Sequence, residues 1–407
     1  MIVSQTVSEL GASATLQMSK KAKALEAQGH KIFDFSVGEP DLSPPQVLFD
    51  GVMEAIKEKQ HLYTPVSGTL AIKKSILHYT QHHQNLSGWD VPQVCVSTGA
   101  KQVIYNALMA SLEPGDEVII PSPYWVSYPA IVKLSGARWV PVSCNEHNGF
   151  KLTPEALQAA ITPNTKWLVL NSPNNPTGTV YDTDTLYRLA EVLKKFPKIF
   201  ILSDDIYEAL CYTHRPCPHI LHVCPELQSR VLVVNGISKS LAATGWRLGW
   251  GIAPQSLLEG IEKIQSHSTS GPCCLVQHAV AQTLNTPQLE AYILENHGIF
   301  TSRRHCLVKA LQRLPGMDTL VTPMGAFYVF ASCRGILHHP TIRALGWRTD
   351  RELADGLLTH AHVCSVPGSE FGQEGYLRFS YAVPPKLIEE GVERLIHFLT
   401  TPSKISE

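Results

Sequence analysis

One stretch of the chain decides the fold and points to its chemistry: residues 234–250 read VNGISKSLAATGWRLGW. The apolar run that leads into it, residues 231–234, is typical of a buried strand. That strand breaks into small residues around one lysine, Lys239, and Arg247 follows in the same stretch. Poor solvation and a nearby cation both favour the neutral amine of a lysine, the form that attacks a carbonyl to make a Schiff base. A lone Ser-Lys pair is usually only a loop lysine in water, so the hypothesis depends on what the rest of the chain supplies.

The bulk composition bounds the class of protein. The 407 residues carry a formal net charge of −1, with 44% hydrophobic and 17% charged residues. This length suggests two domains or one large α/β unit. The balanced charge offers no electrostatic attraction for nucleic acid or an acidic membrane. No apolar run reaches the roughly 20 residues that cross a bilayer, so neither nucleic acid nor a membrane is an expected partner.

The cysteines and the N-terminal segment predict a cytoplasmic location. The ten cysteines are scattered along the chain, as reduced thiols are. Residues 1–20 are polar and lack the apolar core of a secretion signal. The tightest metal-like cluster lies in a Pro-rich loop without CxxC spacing, so we predict no metal site from it; its members are Cys217, His219, His222 and Cys224.

Strands and helices alternate along most of the chain. Buried strands are predicted at residues 94–98, 118–120, 139–142, 167–170, 199–202 and 231–234. Helical patterns lie between them, for example at residues 154–160 and 183–195. This alternation predicts a mostly parallel sheet, whose ligand crevice lies beyond the carboxyl ends of the strands.

Polar motifs follow three of these predicted strands. Residues 171–178 read NSPNNPTG, residues 203–208 read SDDIYE, and the third motif is the stretch around Lys239. An Asn, an Asp with a Tyr, and a Lys with an Arg therefore reach one rim of the sheet, a constellation that chance seldom produces. A fourth strand runs through Gly99 into a helix N-terminus, which is an anion-binding arrangement without the P-loop signature.

The C-terminal part of the chain has a different pattern of predicted helices and strands. A long helix at residues 288–314 leads into an alternating strand at residues 324–330. Shorter strands follow at residues 363–366 and 375–381, and an amphipathic helix at residues 385–399 ends the pattern. We predict an N-terminal arm that contributes to a small domain (1–46), a large domain (47–287) and a small C-terminal domain (288–407).

With these motifs in order, the chain resembles the fold-type I, pyridoxal-phosphate-dependent aminotransferases. It is most similar to the bacterial aspartate aminotransferases of class I and their aromatic-active relatives. The resemblance runs from VGEPD at residues 37–41 to Arg378, and the three strand-end motifs are highly specific together. It implies pyridoxal 5′-phosphate as cofactor and a homodimer with shared active sites. It also implies an α/β fold, with a mostly parallel seven-stranded sheet flanked by helices and a smaller α+β domain built from both chain ends.

The resemblance implies a role for each matched residue around the cofactor. Lys239 would join the cofactor covalently and, once freed, carry the proton of the reaction. Asp204 would hold the proton on the pyridine nitrogen, and Tyr207 with Asn175 would hydrogen-bond the phenolic oxygen. The remaining expected cofactor contacts are Gly99, Ala100, Lys101, Trp125, Ser238, Arg247 and, from the neighbouring subunit, Tyr63.

For the substrate, the resemblance places Arg378 on the α-carboxylate as a two-pronged donor, a geometry that lysine cannot match. Lys101 would meet the distal carboxylate of aspartate, and Thr15 lies where an N-terminal segment closes over it. The other expected substrate contacts are Gly38, Trp125 and Asn175. An ammonium at residue 101 favours the aspartate/glutamate pair, while aromatic or neutral amino acids with 2-oxoglutarate remain open.

The function that the sequence favours is a ping-pong aminotransferase acting on an amino acid and a 2-oxo acid. A pyridoxal-phosphate-dependent C–S lyase remains open, because bond orientation alone selects the outcome of a shared carbanion. A non-enzymatic ligand sensor fused to a DNA-binding module is disfavoured, because the sequence shows no basic helix-turn-helix segment. A nicotinamide oxidoreductase is disfavoured because no GxGxxG follows an early strand.

Overall fold

The structure is a computed structural model that describes residues 2–11, 14–317 and 320–401, without the side chains of residues 14–16. The strands are β1 (Phe33–Asp34), β2 (Val94–Ser97), β3 (Glu117–Ser122), β4 (Arg138–Ser143), β5 (Thr165–Asn171), β6 (Phe200–Asp204), β7 (Val231–Gly236), β8 (Gly249–Ile252), β9 (Tyr328–Ser332), β10 (Val363–Cys364), β11 (Val366–Pro367) and β12 (Tyr376–Ser380).

The α-helices are α1 (Gln5–Ser8), α2 (Ala14–Ala27), α3 (Gln46–Lys57), α4 (Leu70–His83), α5 (Ala100–Ser111), α6 (Ser127–Leu134), α7 (Pro154–Ala160), α8 (Thr183–Lys194), α9 (Ile220–Val223), α10 (Ile237–Ser240), α11 (Gln255–Ser266), α12 (Cys274–Thr283), α13 (Pro287–Leu311), α14 (Arg334–Leu337), α15 (Pro340–Ala344), α16 (Asp350–Gly356) and α17 (Pro385–Thr400). Short 3₁₀ turns occur at Val91–Gln93, Glu146–Asn148, Glu208–Leu210, Pro225–Arg230, Thr244–Trp246 and Gly368–Phe371, and a π-helical turn at Leu357–Ala361.

A seven-stranded sheet organises the larger part of the molecule, in the order β2-β8-β7-β6-β5-β3-β4. Strand β8 runs antiparallel to both of its neighbours, and the other pairings are parallel. The predicted mostly parallel seven-stranded α/β fold is therefore confirmed. Because β5, β6 and β7 are parallel neighbours, their carboxyl ends meet at one edge of the sheet.

Apolar side chains cover both faces of this sheet. In β7, Val231 and Val233 pack into one apolar layer, whereas Leu232 and Val234 pack into the layer on the other face. Side chains alternate between the two faces of a strand, so a run of four apolar residues is what a strand buried on both sides requires. The four apolar residues of β7 therefore suit a strand in the interior of the sheet.

A second apolar core joins the two ends of the chain. Strand β1 pairs in parallel with β10, and β9, β11 and β12 form a three-stranded antiparallel sheet. Phe35, next to β1, is fully buried in this core. Helix α13 contributes Ile293 to the large-sheet core and Phe300 to this second core. One helix therefore spans both cores, and the exact domain limits at residues 46/47 and 287/288 stay a prediction.

Three elements differ from the sequence-based expectation. Strand β8 was not predicted, because GWGI is glycine-rich and reads as a loop in isolation. The expected strand at residues 324–330 is wrong in position, since β9 begins at Tyr328. The expected strand at residues 363–366 is two strands, because β10 pairs with β1 whereas β11 pairs with β12. In the described part of the chain, no helix is both long and apolar enough to span a bilayer.

Candidate active site

A cavity of about 350 Å³ lies beyond the carboxyl ends of β5, β6 and β7. Asn171 ends β5 and Asp204 ends β6, and the parallel register places these two residues side by side. Strand β7 ends at Gly236 and leads into the short helix α10, which carries Lys239. The cavity is lined by Gly38, Ala100, Lys101, Ile104, Trp125, Val126, Ser127, Tyr128, Asn171, Asn175, Asp204, Ile206, Tyr207, Ser238, Lys239, Arg247, Tyr328 and Arg378.

Lys239 presents its amine to this cavity. The Nζ atom donates a hydrogen bond to the Gly38 carbonyl oxygen at 2.7 Å. Burial lowers the pKa of Lys239 to about 8; the nearby Glu39 carboxylate opposes this shift, and the Arg247 and Arg378 guanidinium groups add to it. At pH 8 about half of such amines are neutral, whereas an ordinary lysine is almost wholly protonated. The site therefore holds an amine whose neutral, nucleophilic fraction near pH 7 is far larger than that of an ordinary lysine.

Asp204 faces the same cavity from the end of β6. Its side chain is buried, and burial raises the pKa of Asp204 to about 6. Tyr128 opposes that shift because its hydroxyl donates a hydrogen bond to Asp204 Oδ2 at 2.6 Å, and the Ile206 amide donates to Oδ1 at 3.3 Å. These donors stabilise the ionised carboxylate. The carboxylate can also accept a hydrogen bond from a protonated group of a ligand in the cavity.

A network of amide and hydroxyl groups connects the strand ends. The Asn171 side chain donates to the Asp204 carbonyl oxygen at 2.8 Å and accepts from the Asn175 amide at 3.0 Å. The Tyr207 and Tyr328 hydroxyl oxygens lie 3.0 Å apart, and burial raises the pKa of both phenols. Both phenols are therefore neutral hydrogen-bonding groups over the ordinary pH range.

Arg378 is a buried cation on β12. Its Nη1 donates to Asn175 Oδ1 at 3.0 Å and its Nη2 to the Ser36 carbonyl oxygen at 2.7 Å. Within the described residues, its buried Nε atom has no hydrogen-bond partner and its guanidinium forms no ion pair. A buried cation that lacks an anion is energetically unfavourable, so the side chain is a ready receptor for a carboxylate.

A second anion receptor lies at the N-terminus of α5. Gly99 has φ +88°, and a Cβ atom there would lie 2.4 Å from Arg247 Nη2, so only glycine lets the guanidinium approach. Arg247 Nη1 lies 3.5 Å from Ser238 Oγ. Free amide groups at the start of a twelve-residue helix, a guanidinium and a hydroxyl together suit a phosphate group.

Lys101 and Trp125 form the outer side of the cavity. The Lys101 ammonium lies 4.9 Å from the centre of the Trp125 ring. Partial desolvation, and then the Arg247 guanidinium, lower the pKa of Lys101. The cavity thus has cations at two places, with Arg378 on β12 and Lys101 near Arg247.

The structure brings most of the predicted site residues together. Of the predicted set, those lining the cavity are Gly38, Ala100, Lys101, Trp125, Asn175, Asp204, Tyr207, Ser238, Lys239, Arg247 and Arg378. Gly99 borders the cavity through its contact with Arg247. Tyr63 does not join the cavity of its own chain, since it is 97% exposed on the surface. The side chain of Thr15 lies outside the described residues.

Seven lining residues were not among the predicted site residues: Ile104, Val126, Ser127, Tyr128, Asn171, Ile206 and Tyr328. Three of them make hydrogen bonds in the site, and Asn171 belongs to the NSPNNPTG motif whereas Tyr128 and Tyr328 do not. Tyr128 lies in the first turn of α6, three residues after Trp125, and no motif marks it. Tyr328 reaches the cavity because β9 pairs with β12, which brings it diagonally next to Arg378. No local motif marks Tyr328, because strand pairing across a long stretch of sequence determines its place.

The Cys/His loop has a structural explanation. His222 Nδ1 accepts from the His219 amide at 3.2 Å, and His222 Nε2 lies 2.8 Å from the Gln84 carbonyl oxygen. His219 Nδ1 accepts from the Leu221 amide at 3.1 Å and so caps α9. These imidazole nitrogens therefore hold the backbone of the loop.

Comparison with known proteins agrees with this geometry. The chain matches the family model described as "Aminotransferase class I and II" over residues 30–395. It is 40% identical over 394 residues to a probable aspartate/prephenate aminotransferase of Rickettsia felis, covering 97% of this chain and 95% of that protein. It is 39% identical to an aspartate aminotransferase of Rhizobium meliloti, covering 96% of this chain and 94% of that protein.

Solved structures show the same fold. The crystal structure of the Rhizobium meliloti aspartate aminotransferase superposes with a TM-score of 0.92 at 37% identity, covering 98% of this chain and 99% of that chain. The Thermus thermophilus aspartate aminotransferase with maleate superposes with a TM-score of 0.90 at 32% identity, covering 98% of this chain and 100% of that chain. Sequence, fold and cavity chemistry agree, and the chain belongs to the class I and II aminotransferases, a family of enzymes that use pyridoxal phosphate to move amino groups between amino acids and oxo acids.

Proposed function

We propose that this enzyme binds pyridoxal 5′-phosphate and exchanges the amino group of L-aspartate or L-glutamate with a 2-oxo acid by a ping-pong mechanism. The observation that supports it is the convergence of three groups on one cavity. These are the Lys239 amine with its lowered pKa, the buried Asp204 carboxylate and the buried Arg378 guanidinium, which forms no ion pair with any described residue.

The residues present fit this cofactor at each of its functional groups. The amine of Lys239 suits the aldehyde, Asp204 suits the ring nitrogen, and the Trp125 ring suits a stacked face. The phenolic oxygen would accept from Asn175 and Tyr207. The phosphate would be held by Gly99, Ala100, Lys101, Ser238 and Arg247, with Tyr63 of a neighbouring subunit.

When bound, the cofactor supplies an electron-withdrawing ring to the α-carbon of the substrate. The chain's own residues then do three things. Lys239 Nζ takes the α-proton and returns a proton, since a pKa of about 8 suits both directions near neutral pH. The ionised carboxylate of Asp204 keeps a proton on the ring nitrogen that faces it. Arg378 fixes the substrate carboxylate with two parallel hydrogen bonds.

Arg378→Lys is expected to raise KM for the amino acid by about 10- to 100-fold while leaving cofactor binding nearly unchanged. A lysine keeps the charge but loses the forked donor, and each lost charged hydrogen bond weakens binding by about 1.5–3 kcal/mol. Steady-state kinetics and a cofactor titration by absorbance measure the two effects. The matched control is Arg334→Lys, an exposed arginine stacked on Tyr376, which should change neither. Cofactor loss as the main effect would show that Arg378 serves another role.

The proposed preference for dicarboxylates depends on Lys101. Relatives carry the names aspartate and aspartate/prephenate aminotransferase, and a Thermus relative was solved with maleate, a dicarboxylate. In this chain the Lys101 ammonium lies at the outer side of the cavity, beside Trp125. We propose that it binds the distal carboxylate, with Thr15 in the N-terminal segment that would close over the substrate.

Lys101→Ala is expected to lower kcat/KM for aspartate by about tenfold or more, and that for tyrosine by much less. Only the dicarboxylate loses a charged partner, and one such contact is worth about 1.5–3 kcal/mol. The ratio of the two kcat/KM values is the readout, because any damage to the cofactor site cancels in it. Equal losses for both substrates would contradict the dicarboxylate assignment.

We also propose that the enzyme works as a homodimer with shared sites. Phe49, Met53 and Ile56 are exposed apolar residues at helical spacing on α3, and the exposed Leu62 and Tyr63 follow a few residues after the end of that helix. A second copy packed on this surface would bury these apolar side chains and could carry Tyr63 to the partner's phosphate receptor. Light scattering on the purified holoenzyme should give the mass of a dimer, and a fully active monomer would contradict the proposal.

A panel of amino acids assayed with 2-oxoglutarate tests the proposed function as a whole. Aspartate should show the highest kcat/KM of the panel. Tyrosine or phenylalanine as the best donor would replace the aspartate assignment with an aromatic one. Release of pyruvate from a cysteine conjugate without any added oxo acid would instead support a C–S lyase.

A further inference from the structure

We propose that Tyr328 is a positioning residue that couples the two ends of the site: its hydroxyl directs the proton of Tyr207, and its ring supports Arg378. This inference rests on the proposed function, since it assumes that Tyr207 faces the bound cofactor and Arg378 the substrate. Tyr328 is fully buried except for its contact with the cavity, and it stands on β9 rather than among the motif residues.

The hydroxyl of Tyr328 lies 3.0 Å from that of Tyr207, and either oxygen can donate. Among the described residues, neither hydroxyl makes any other hydrogen bond. Each phenol carries one proton, so only one of the two protons lies in the shared bond. When Tyr328 donates, the proton of Tyr207 is free to point into the cavity. When Tyr207 donates, no proton is left for an acceptor that faces Tyr207.

An acceptor beside Tyr207 favours the first arrangement. Burial raises the pKa of both phenols, so both stay neutral donors. In a chain of hydrogen bonds each bond polarises the next, so donation by Tyr328 makes Tyr207 a better donor. The Tyr328 hydroxyl thus strengthens the bond that Tyr207 makes to the phenolic oxygen of the cofactor.

The ring of Tyr328 acts on the opposite end of the site. The Arg378 guanidinium lies 4.4 Å from the centre of the Tyr328 ring and 5.1 Å from that of Phe371. Arg378 is paired across the sheet with Phe330, so Tyr328 is its diagonal neighbour on the same face. The negative face of an aromatic ring attracts a desolvated cation. The ring therefore holds the guanidinium in place before any substrate carboxylate arrives.

Other titratable and charged groups lie near these two phenols and near Lys239, and they affect the electrostatic environment of each. Tyr207 is faced by Tyr328, Arg378 and Asp204, and Tyr328 by Tyr207, Arg378 and Glu39. The groups facing Lys239 are Glu39, Arg247, Arg378 and Lys101. Tyr328→Phe changes none of these charges, so it isolates the hydroxyl.

Three variants of the holoenzyme test the inference through two readouts. The first readout is the pH at which the absorbance of the Lys239-bound cofactor changes. The second is the Kd for maleate, a dicarboxylate probe, measured by the same absorbance. Tyr328→Phe removes the hydroxyl and keeps the ring, whereas Tyr328→Leu removes both. Tyr381→Phe is the matched control, because this buried tyrosine of the same apolar core bonds to the Ala326 carbonyl oxygen and does not line the cavity.

Tyr328→Phe should raise the pH midpoint of the absorbance change by about half a pH unit and change the maleate Kd by less than about twofold. The phenolic oxygen of the cofactor is most negative in the deprotonated form of the chromophore. A weaker donor at Tyr207 stabilises that form less, so the midpoint moves to higher pH. Tyr328→Leu should produce the same shift and also weaken maleate binding about tenfold, through loss of the ring face. Tyr381→Phe should leave both values at wild-type levels.

Two outcomes would overturn this inference. An unchanged midpoint in Tyr328→Phe would remove the role of the hydroxyl, and wild-type maleate affinity in Tyr328→Leu would remove the role of the ring. A wild-type protein that shows no cofactor absorbance would overturn the proposed function itself. The two failures are therefore distinguishable in one set of spectra.

Discussion

Lys239→Ala is expected to lower kcat by at least about 10⁴-fold, to the limit of detection. The variant loses the amine that joins the cofactor and also the group that moves the α-proton, and proton transfer alone contributes about 10²–10⁴. No other amine in the cavity can replace it, since the Lys101 ammonium lies over Trp125 at the outer side. Initial rates with aspartate and 2-oxoglutarate measure the effect. The phosphate receptor at Gly99 and Arg247 is intact in this variant, so noncovalent cofactor binding should persist.

A matched control for this variant lies on the same helical turn. Ser240→Ala changes a side chain that donates to the Gly236 carbonyl oxygen and does not line the cavity. It should keep kcat within about threefold of the wild-type value. The lost hydrogen bond contributes only about 1 kcal/mol or less to stability, and the hydroxyl does not reach the cavity. Full activity in Lys239→Ala would rule out Lys239 as the catalytic amine.

Asp204→Asn is expected to lower kcat by about 10²- to 10³-fold. Asparagine has nearly the same shape and can still accept from Tyr128, but it is neutral and cannot hold a proton on the ring nitrogen opposite it. The electron-withdrawing power of the ring then falls, while substrate binding at Arg378 is unaffected. KM for aspartate should therefore change little, and the loss should appear in kcat.

The neighbouring carboxylate provides the control for Asp204→Asn. Asp205 is also buried, but it accepts from the Ser203 hydroxyl at 2.7 Å, lies 3.5 Å from His219 Nε2, and does not line the cavity. Asp205→Asn should keep kcat per folded enzyme close to that of the wild type, because the Asp205 side chain does not reach the cavity. Equal loss of kcat in the two variants would show that buried charge in this segment, rather than contact with the cofactor, determines the rate.

The catalytic rim was predictable from sequence because each motif directly follows a buried apolar strand. Asp204 ends β6, and Asn175 and Lys239 follow β5 and β7. Parallel neighbours bring the carboxyl ends of these strands together without further information. The same reasoning placed Gly99 at the start of α5, where a helix N-terminus meets Arg247. Local pattern and sheet geometry were sufficient for this half of the site.

The substrate half depended on pairings that local patterns do not encode. Arg378 and Tyr328 meet because β12 pairs with β9 in one particular register, and a shift of one residue would turn either side chain to the other face. Strand β8 was missed because its glycines carry no strand signal, although they let it approach α5. Tyr63 lies on the surface of a single chain, so its role depends on a second copy.

The most direct test of the account is to reduce the purified holoenzyme with borohydride and map the modified peptide by mass spectrometry. The yellow colour should disappear, and one reduced phosphopyridoxyl group should be fixed on Lys239, in the peptide that includes SKSLAATGWR. A protein without cofactor colour, or a reduced group fixed on any lysine other than Lys239, would contradict the account.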